Sequence, residues 1–351
     1  EFWEPDMGRK IRHGNLHYLL ELPRNYRDAV RRYARKAVYD VIELNQPHAY
    51  LAAIDNQRCA RPAIFINRSH GHEVRADEAV DHWRRTLQCL PQRFLHRSAS
   101  RGIRWLLTRH WTKIARFADG FVVSSTEDRD FLRNRYRVAE ERIGVITQGV
   151  PNSFLTMPAR AFDSGRLTKA LYVGQYAFIK APIILAQTLA MVLSACPAVT
   201  MTWVCSRAHH EKVRGLLPEN LLSRVRLCDW IAQEKLIQVY DEHGLFLFPS
   251  FFEGFGKTPL EAMARGLCVI SSDTGGMRDY IKSGENGLLV PVGRPDVMAE
   301  RAAGLLGNLT RCQAMSSAAR ETACQHTWDR CARDATEFYR HLIERKSHGW
   351  G

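Results

Sequence analysis

The stretch Glu253-Gly-Phe-Gly-Lys-Thr-Pro-Leu-Glu261 is the most informative part of this chain. It follows an apolar run, residues 244–248, that predicts a buried parallel strand. Thr258 and Pro259 are typical N-cap and first-turn residues, so a helix is predicted to begin there and to end near Gly266. A glycine-containing loop at the carboxyl end of a strand therefore leads into a helix N-terminus, which favours binding of a phosphate.

Two carboxylates bracket this loop, and each has an ordinary alternative role. Thr258-x-x-Glu261 matches a capping box, in which Glu261 would only secure its own helix. Glu253 would also suit a solvated loop. Spacing alone leaves these alternatives open, although the pair in a strand–loop–helix setting is more specific than either acid by itself.

Residues Glu253 to Glu261 resemble the E-x7-E signature of the glycosyltransferase group 1 family, whose members are retaining enzymes of the GT-B fold. The flanking sequences are similar too: Phe248-Pro-Ser250, Glu261-Ala-Met-Ala264, Gly275-Gly276 and Glu285-Asn-Gly-Leu-Leu-Val290. The resemblance covers residues 118–345, is weaker over 38–117 and is absent before 38.

The resemblance implies roles for individual residues. Glu253 would contact hydroxyls of the donor hexose, Glu261 the ribose, and Lys180 the donor diphosphate. The family carries an arginine where this chain has Gln175, which supplies neither charge nor a bidentate fork. The implied catalytic set is Glu253, His70 and Lys180, and the nucleotide-sugar-binding set is Gly174, Gln175, Lys180, Gly254, Phe255, Gly256, Lys257 and Glu261. The nucleotide sugar is a co-substrate, and neither a metal nor another cofactor is expected.

The segment Ser69-His-Gly-His-Glu73 follows a predicted strand over 63–66. His70 resembles the family's active-site histidine near donor sugar and acceptor. An ordinary polar loop is one alternative, and a metal site using His70, His72 and Glu73 is another, although no further ligand is predictable. Asp128-Arg-Asp130 matches a D-x-D metal motif only formally, because residues two apart on a predicted helix do not face each other.

The composition is that of a globular protein with enough chain for two domains: 351 residues, 45% hydrophobic and 25% charged. Nine scattered cysteines without a C-x-x-C pair favour a reducing compartment, the cytoplasm. The apolar stretch 181–199 is predicted to be a core helix, since its helical part is too short to cross a bilayer.

The net charge of +13 is distributed unevenly. Residues 82–118 contain no acid and nine basic residues: Arg84, Arg85, Arg93, Arg97, Arg101, Arg104, Arg109, Lys113 and Arg116. Apolar residues at helical spacing, Ile103 to Phe117, also fit an ordinary domain helix with its arginines in water. The compatible functional interpretation is contact with an anionic membrane surface, placing the protein on the inner face of the membrane. Nucleic acid is disfavoured because no nucleic-acid motif accompanies the charge.

Strands alternate with helices throughout, which predicts two Rossmann-like domains facing a cleft. The predicted boundaries are an acceptor-side domain over 1–151, a linker over 152–169, a nucleotide-sugar domain over 170–327 and a closing helix over 328–345 that returns to the first domain. Segment 13–22 is predicted to be a strand and 27–37 a basic helix. Met7-Gly8-Arg9-Lys10 lacks the family's opening strand and glycine-rich loop, so the first domain is expected to be incomplete at its start.

The expected function is transfer of a hexose, with retention, from a nucleotide-diphosphate sugar to a glycan or lipid-linked acceptor in cell-surface polysaccharide or glycolipid synthesis. A non-catalytic nucleotide-sugar-binding or membrane-scaffold protein of GT-B descent is the main alternative. A nucleotide-sugar epimerase of related fold is a third, distinguished by its products in the absence of an acceptor.

Overall fold

The structure, a computed structural model, describes residues 15–89 and 94–348 in two compact units. The first unit takes in the chain up to Glu78, Arg84–Ile146 and the chain from Ala332 onward, and the second takes in Ala79–Trp83 and Thr147–Cys331. Each unit contains its own sheet of parallel strands, which confirms the predicted α/β class. The segment Met7–Lys10 lies outside the described residues.

The elements are numbered in chain order. The strands are β1 (Val41–Asn45), β2 (Ile64–Ser69), β3 (Gly120–Val123), β4 (Ile143–Val145), β5 (Lys169–Val173), β6 (Thr200–Val204), β7 (Val225–Cys228), β8 (Leu245–Phe248), β9 (Cys268–Ser272) and β10 (Leu288–Val290). The helices are α1 (Asn15–Ala34), α2 (Tyr50–Gln57), α3 (Glu73–Thr86), α4 (Phe94–Phe117), α5 (Thr126–Tyr136), α6 (Asn152–Thr156), α7 (Ser164–Leu167), α8 (Pro182–Ala195), α9 (His210–Arg214), α10 (Gln233–Glu242), α11 (Lys257–Ala264), α12 (Met277–Tyr280), α13 (Pro295–Leu306), α14 (Leu309–Cys324) and α15 (Trp328–Ser347).

The sheet of the first unit has the order β1-β2-β3-β4, with every pairing parallel. Right-handed crossovers that always step in the same direction place their connecting helices on one face of a sheet. Phe65 and Phe121 accordingly share a buried cluster with Trp111 and Ile114 of α4. This face is the larger core of the unit.

The opposite face of the same sheet is covered by α15. Leu342 is fully buried and lies against Gly120, and the ring of Phe338 lies 2.9 Å from where a Cβ on Gly144 would stand. The Nζ atom of Lys346 donates to the Asp119 carboxylate at 3.0 Å. The C-terminal helix thus supplies the second covering layer that a parallel sheet requires.

Helix α1 corrects one prediction. The strand expected over 13–22 is wrong over its described part, because the chain is helical from Asn15 through Pro23 to Ala34. Leu22, Tyr26 and Ala29 are buried, and their spacing of four and three is that of one helix face. A continuous helix buries this face, whereas a strand would divide the same residues between two sides.

The sheet of the second unit has the order β10-β9-β8-β5-β6-β7 and is also entirely parallel. The strand order reverses at β5, since β6 lies on one side of it and β8 on the other. In doubly wound sheets, ligands bind at the carboxyl ends of the strands where this reversal occurs. A ligand site is therefore expected at the loops that follow β5 and β8.

Helix α8 fulfils the prediction of a core helix. The stretch Phe178–Ala195 is long and apolar enough to span a membrane by composition alone. Its residues Leu185, Leu189 and Val192 are buried in the core of the second unit, and α8 packs against α13. Burial within the protein accounts for its apolar sequence.

Two buried arginines join the segment 152–169 to the second unit. Arg265 is fully buried, and its guanidinium donates to the backbone oxygens of Phe154, Met157 and Pro158 and to the carboxylate of Asp241. Arg166 donates to the backbone oxygens of residues 160, 243 and 265. These bonds hold the backbone of the segment against the rest of the second unit.

Gly149 provides a test of the packing around the start of α15. A Cβ at this position would stand 2.7 Å from the backbone carbon of Thr327, and backbone atoms cannot rotate away as a side chain can. Gly149→Ala is expected to lower the free energy of unfolding by about 1–3 kcal/mol, measured by chemical denaturation. Gly304→Ala is the matched control, because nothing lies within 4 Å of its Cβ and alanine is favoured at this exposed position of helix α13. Equal stability of the two variants would contradict the close approach.

Candidate functional site

The loops after β5 and β8 meet at the reversal point of the second sheet. The backbone N–H of Phe251, after β8, donates to the backbone oxygen of Ile179, after β5, at 2.9 Å. Lys180 ends a short 3-10 turn immediately before α8. This connection brings Lys180, Ser250 and Glu253 together, although 73 positions separate Lys180 from Glu253 in the sequence.

The central contact is an ion pair. Lys180 Nζ donates to Oε1 of Glu253, and the side chains are 25% and 10% exposed respectively. The hydroxyl of the fully buried Ser250 donates to the same Oε1 at 2.9 Å. Within the described residues, Oε2 of Glu253 accepts no hydrogen bond. The carboxylate is thus held through one oxygen and keeps the other available.

The loop after Glu253 is shaped by close backbone packing. A Cβ on Gly275 would stand 2.7 Å from the backbone carbon of Glu253, so this position excludes any larger residue. The N–H of Gly276 donates to the oxygen of Gly254 at 3.1 Å. Among the described residues, the backbone N–H groups of Gly254, Phe255 and Gly256 have no acceptor. Donors left without a partner beside Lys180 suit an anion.

Helix α11 begins earlier than predicted, so the N-cap assignment of Thr258 is wrong. Its N-cap is Gly256, which has φ 86° and makes no side-chain capping bond, and the helix starts at Lys257. The hydroxyl of Tyr280 donates to the oxygen of Gly256 at 2.7 Å. Only glycine adopts this left-handed conformation without strain, so tertiary packing sets the start of the helix instead of the threonine.

Glu261 does not form the predicted capping box. Its carboxylate accepts a hydrogen bond at 3.3 Å from the hydroxyl of Tyr240 on α10, not from its own helix terminus. Burial raises the pKa of Glu261 above its ordinary value, while Lys257 and this hydrogen bond oppose the increase. The correction removes the purely local role for Glu261 and leaves it as a half-buried acid beside the loop.

The remaining members of the predicted binding set occupy different environments. Gln175 is exposed directly after β5. Gly174 has no room for a side chain, because a Cβ there would stand 2.5 Å from the Tyr172 hydroxyl. The side chain of Phe255 is buried beside Tyr280. Lys257 Nζ lies 5.8 Å from the ring centroid of Trp328. Phe255 can therefore contribute its backbone, but not its ring, to a ligand.

Aromatic residues at the same sheet edge were not predicted. Tyr176, after β5, stacks on His209, after β6, with centroids 5.1 Å apart and planes inclined by 17°. The carboxylate of Asp229, after β7, accepts from the backbone N–H groups of Arg207 and Trp230, and Trp230 is 51% exposed. These residues share no short motif, and only the sheet order places them at one edge. The arrangement offers flat apolar surface at the sheet edge that also carries Lys180 and Glu253.

The histidine loop lies in the first unit. Strand β2 runs to Ser69, so His70 follows it directly and is exposed. His72 is buried and stacks on Trp111 with centroids 4.0 Å apart. Burial lowers the pKa of His72 to about 3, and its Nδ1 accepts from the N–H of Val74. His72 is therefore a neutral core residue, while His70 is accessible to a ligand.

Acidic groups beneath this loop are paired internally. Glu73 accepts from the indole N–H of Trp111 at 3.0 Å, and Asp128 accepts from Arg75 at 2.7 Å. Asp130 lies next to Arg129 on α5 instead of joining Asp128. Across the described ranges, no three His, Cys, Asp or Glu side chains form a group able to hold a metal ion. Asp128 is committed to an internal ion pair.

The basic helix α4 has one buried and one exposed face. His110, Trp111 and Ile114 are buried, as the predicted helical spacing requires. Trp105 is 59% exposed, and the guanidinium of Arg109 lies 4.7 Å from its ring centroid. Arg101, Trp105, Arg109 and Arg116 recur at intervals of four and seven and share the exposed face. Arg104 pairs with Asp77, and Arg93 lies outside the described residues.

Glu73 allows a test through the pH dependence of stability. Burial raises the pKa of Glu73 from 4.5 to about 7, so the folded protein keeps a proton that the unfolded chain loses. This contribution makes the free energy of unfolding fall as pH rises from about 4.5 to about 7. Glu73→Gln stays neutral and retains an oxygen for Trp111. It is expected to be more stable than the parent at pH 8, by on the order of 1–2 kcal/mol, and similar at pH 4.

Denaturant titrations across this range measure the difference between the two proteins. The contribution of His72 occurs in both proteins and cancels. Glu78→Gln, an exposed change on the same helix, is the control and should show no such difference. Parallel curves for Glu73→Gln and the parent would show that Glu73 does not carry the pH effect.

Comparison with known proteins finds a family match over part of the chain. The model of the family described as "Glycosyl transferases group 1" matches residues 168–308. D-inositol 3-phosphate glycosyltransferase of Rhodococcus jostii is 27% identical over 248 residues, 67% of this chain and 55% of the relative. The protein of that name from Corynebacterium urealyticum is 27% identical over 242 residues, 64% and 57% respectively. The chain thus spans about half the length of the curated relatives it matches.

Solved structures with the same fold cover nearly the whole chain. Sucrose-phosphate synthase from Thermosynechococcus elongatus has a TM-score of 0.77 at 21% identity, covering 96% of this chain and 82% of that one. Anabaena HepE in complex with UDP-glucose has a TM-score of 0.65 at 20% identity, covering 92% and 82%. The matched family segment contains Lys180, Glu253 and Glu261, and the two sheets of parallel strands are those of the structural neighbours. Residues 168–308 therefore match the group 1 glycosyltransferases, and the chain has the GT-B fold of its structural neighbours.

Proposed function

We propose that this protein transfers a hexose from a nucleotide-diphosphate sugar to a glycan or lipid-linked acceptor, with retention at the anomeric carbon. The observation that carries the proposal is the cluster at the reversal point of the second sheet. There Lys180 and Glu253 adjoin three backbone N–H groups that have no acceptor in the described part of the chain. A cation and free donors suit a diphosphate, and a carboxylate with one available oxygen suits sugar hydroxyls.

The proposed reaction breaks the bond between a sugar and a diphosphate. Negative charge grows on the leaving diphosphate as the bond breaks, and Lys180 with the N–H groups of Gly254–Gly256 would stabilise it. Glu253 would orient the hexose and Glu261 the ribose. The stacked Tyr176 and His209 offer a flat surface for a base. No divalent cation or other cofactor enters this scheme.

Names of relatives support the class of donor and of acceptor. HepE was solved with UDP-glucose, and another structural neighbour, TarM, was solved with UDP and a glycosylated glycerol. Exposed His70, at the end of β2, is the proposed sugar-side residue of the first unit. A role in cell-surface polysaccharide or glycolipid synthesis fits an acceptor of this kind.

A non-catalytic binding protein is the alternative, and Gln175 is the feature that favours it. An amide in place of an arginine removes charge assistance on the order of 1.5–3 kcal/mol. The presence of Lys180, Glu253 and Glu261 in this chain favours an enzyme. Measurement of donor hydrolysis or of sugar transfer distinguishes the two.

The first experiment screens nucleotide sugars and then tests Glu253. Thermal shift with UDP-glucose, UDP-N-acetylglucosamine, GDP-mannose and ADP-glucose should identify a donor, because a ligand that binds only the native state raises its stability. Glu253→Gln is expected to reduce transfer at least 100-fold with nearly unchanged stability, as expected when a preorganised polar contact at the reacting sugar is lost. Exposed Glu234→Gln is the matched control. Near-parental turnover of Glu253→Gln would refute the catalytic assignment.

We also propose that the protein lies on the inner, anionic face of a cytoplasmic membrane through α4. A tryptophan flanked by arginines on one exposed helix face matches an interfacial helix, whose indole inserts among headgroups while the cations attract anionic lipid. The segment 82–118 carries no acidic residue that would oppose this attraction.

Flotation with vesicles tests the membrane proposal. The parent should bind vesicles containing phosphatidylglycerol more tightly than phosphatidylcholine vesicles, and the preference should weaken as salt is added. Replacing Arg101, Arg109 and Arg116 with Gln should reduce binding to the anionic vesicles at least tenfold, at about 1 kcal/mol per charge. Replacing the exposed Arg301, Arg311 and Arg340 with Gln removes the same charge elsewhere and is the control. Equal losses in both variants would indicate net charge, not α4, as the cause.

A further inference from the structure

Ser250 stands out as a fully buried hydroxyl committed to an acidic side chain. It follows β8 by two positions, and its Oγ donates to Oε1 of Glu253 at 2.9 Å. Ser271 of the same unit is also fully buried, but it donates to the backbone oxygens of Phe248 and Ser272. Ser250 is outside the E-x7-E stretch, and its side chain has no other hydrogen bond in the described part of the chain.

Oε1 of Glu253 is shared by two donors that differ in their freedom. Lys180 is 25% exposed on its side chain and has a flexible stem that can turn toward an incoming anion. Ser250 is fully buried and has a short side chain, so its hydroxyl can move less than the lysine ammonium. The two donors therefore respond differently when a ligand competes for the lysine.

Under the proposed function, a diphosphate is such a competitor. Two phosphate groups beside Lys180 attract the ammonium more strongly than one carboxylate does, and Glu253 then loses part of its charge compensation. A carboxylate that is nearly buried needs a remaining donor to keep its orientation. Ser250 is placed to supply that donor while Oε2 accepts from a sugar hydroxyl.

We propose that Ser250 is a positioning residue that holds the Glu253 carboxylate in its sugar-binding orientation once Lys180 has engaged the donor diphosphate. The inference rests on the proposed function. It assigns diphosphate binding and sugar binding to different residues of one site. Lys180 binds the diphosphate, and Ser250 orients Glu253, which binds the sugar.

The test compares the affinities of UDP-glucose and UDP by calorimetry. In the parent, contacts to the sugar make UDP-glucose bind more tightly than UDP. Ser250→Ala should weaken UDP-glucose about tenfold, the loss expected for a hydrogen bond to a charged group, and change UDP affinity less than twofold. Transfer should show the same division, with a reduced kcat. Ser271→Ala removes an equally buried hydroxyl that does not contact Glu253, and it should leave both affinities unchanged.

A double-mutant cycle separates positioning from a general structural effect. If Ser250 acts through Glu253, Ser250→Ala should cost nothing further once Glu253→Ala has removed the carboxylate. Additive losses in the double variant, or equal losses for UDP and UDP-glucose in Ser250→Ala, would overturn the inference. Failure of the parent to bind either nucleotide would instead refute the proposed function for uridine donors, and that result is visible without any Ser250 variant.

Discussion

A parallel β-sheet must be covered on both faces, and this requirement determines how both units are built. In the first unit, the order β1-β2-β3-β4 places the connecting helices on one side, so the other side depends on α15. In the second unit, the order reverses at β5, and helices reach both faces without outside help. The same reversal separates the crossover connections at the carboxyl edge and leaves room there for Lys180 and Glu253.

The electrostatics of the candidate site follow from that position. Lys180 and Glu253 are both largely withdrawn from water, and a buried ion pair recovers its desolvation cost only when further hydrogen bonds complete it. Ser250 provides one such bond, but Oε2 of Glu253 remains without a donor in the described residues. The pair is therefore less satisfied by the protein than a purely structural ion pair would be. A ligand that carries both phosphate and hydroxyl groups complements it on both sides.

The sequence predicts much of this architecture because a buried parallel strand has a short, continuous apolar sequence. Strand β8 lies within the apolar run predicted to be a strand at residues 244–248, and β2 overlaps the strand predicted over 63–66. Local signals failed where distant contacts decided the outcome. Leu22, Tyr26 and Ala29 form a helix face only in the presence of a core. Helix α11 does not begin with a capping box at Thr258, because the left-handed Gly256, bound by Tyr280, sets its start.

The site was predictable to a similar extent. The glutamates and Lys180 lie in recognisable stretches, whereas Tyr176, His209 and Trp230 lie on three separate loops that only the strand order brings to one edge. Spacing also could not distinguish His70 from His72, which differ by the packing of Trp111 on the second ring. Roles that depend on burial or on contacts between distant segments are absent from a local pattern.

The return of α15 to the first sheet has a consequence for biosynthesis. Ile66 and Val122 lie on the face that α15 covers, and they emerge from the ribosome more than 200 residues before Phe338 and Leu342. Until α15 has been made and has left the ribosome, that face stays open, while the second unit can already close around its own core. The N-terminal unit is thus the last to mature, in contrast to the usual order in which domains complete themselves during synthesis. A chaperone that shields an apolar sheet face would act on this protein during the interval in which α15 has not yet been made.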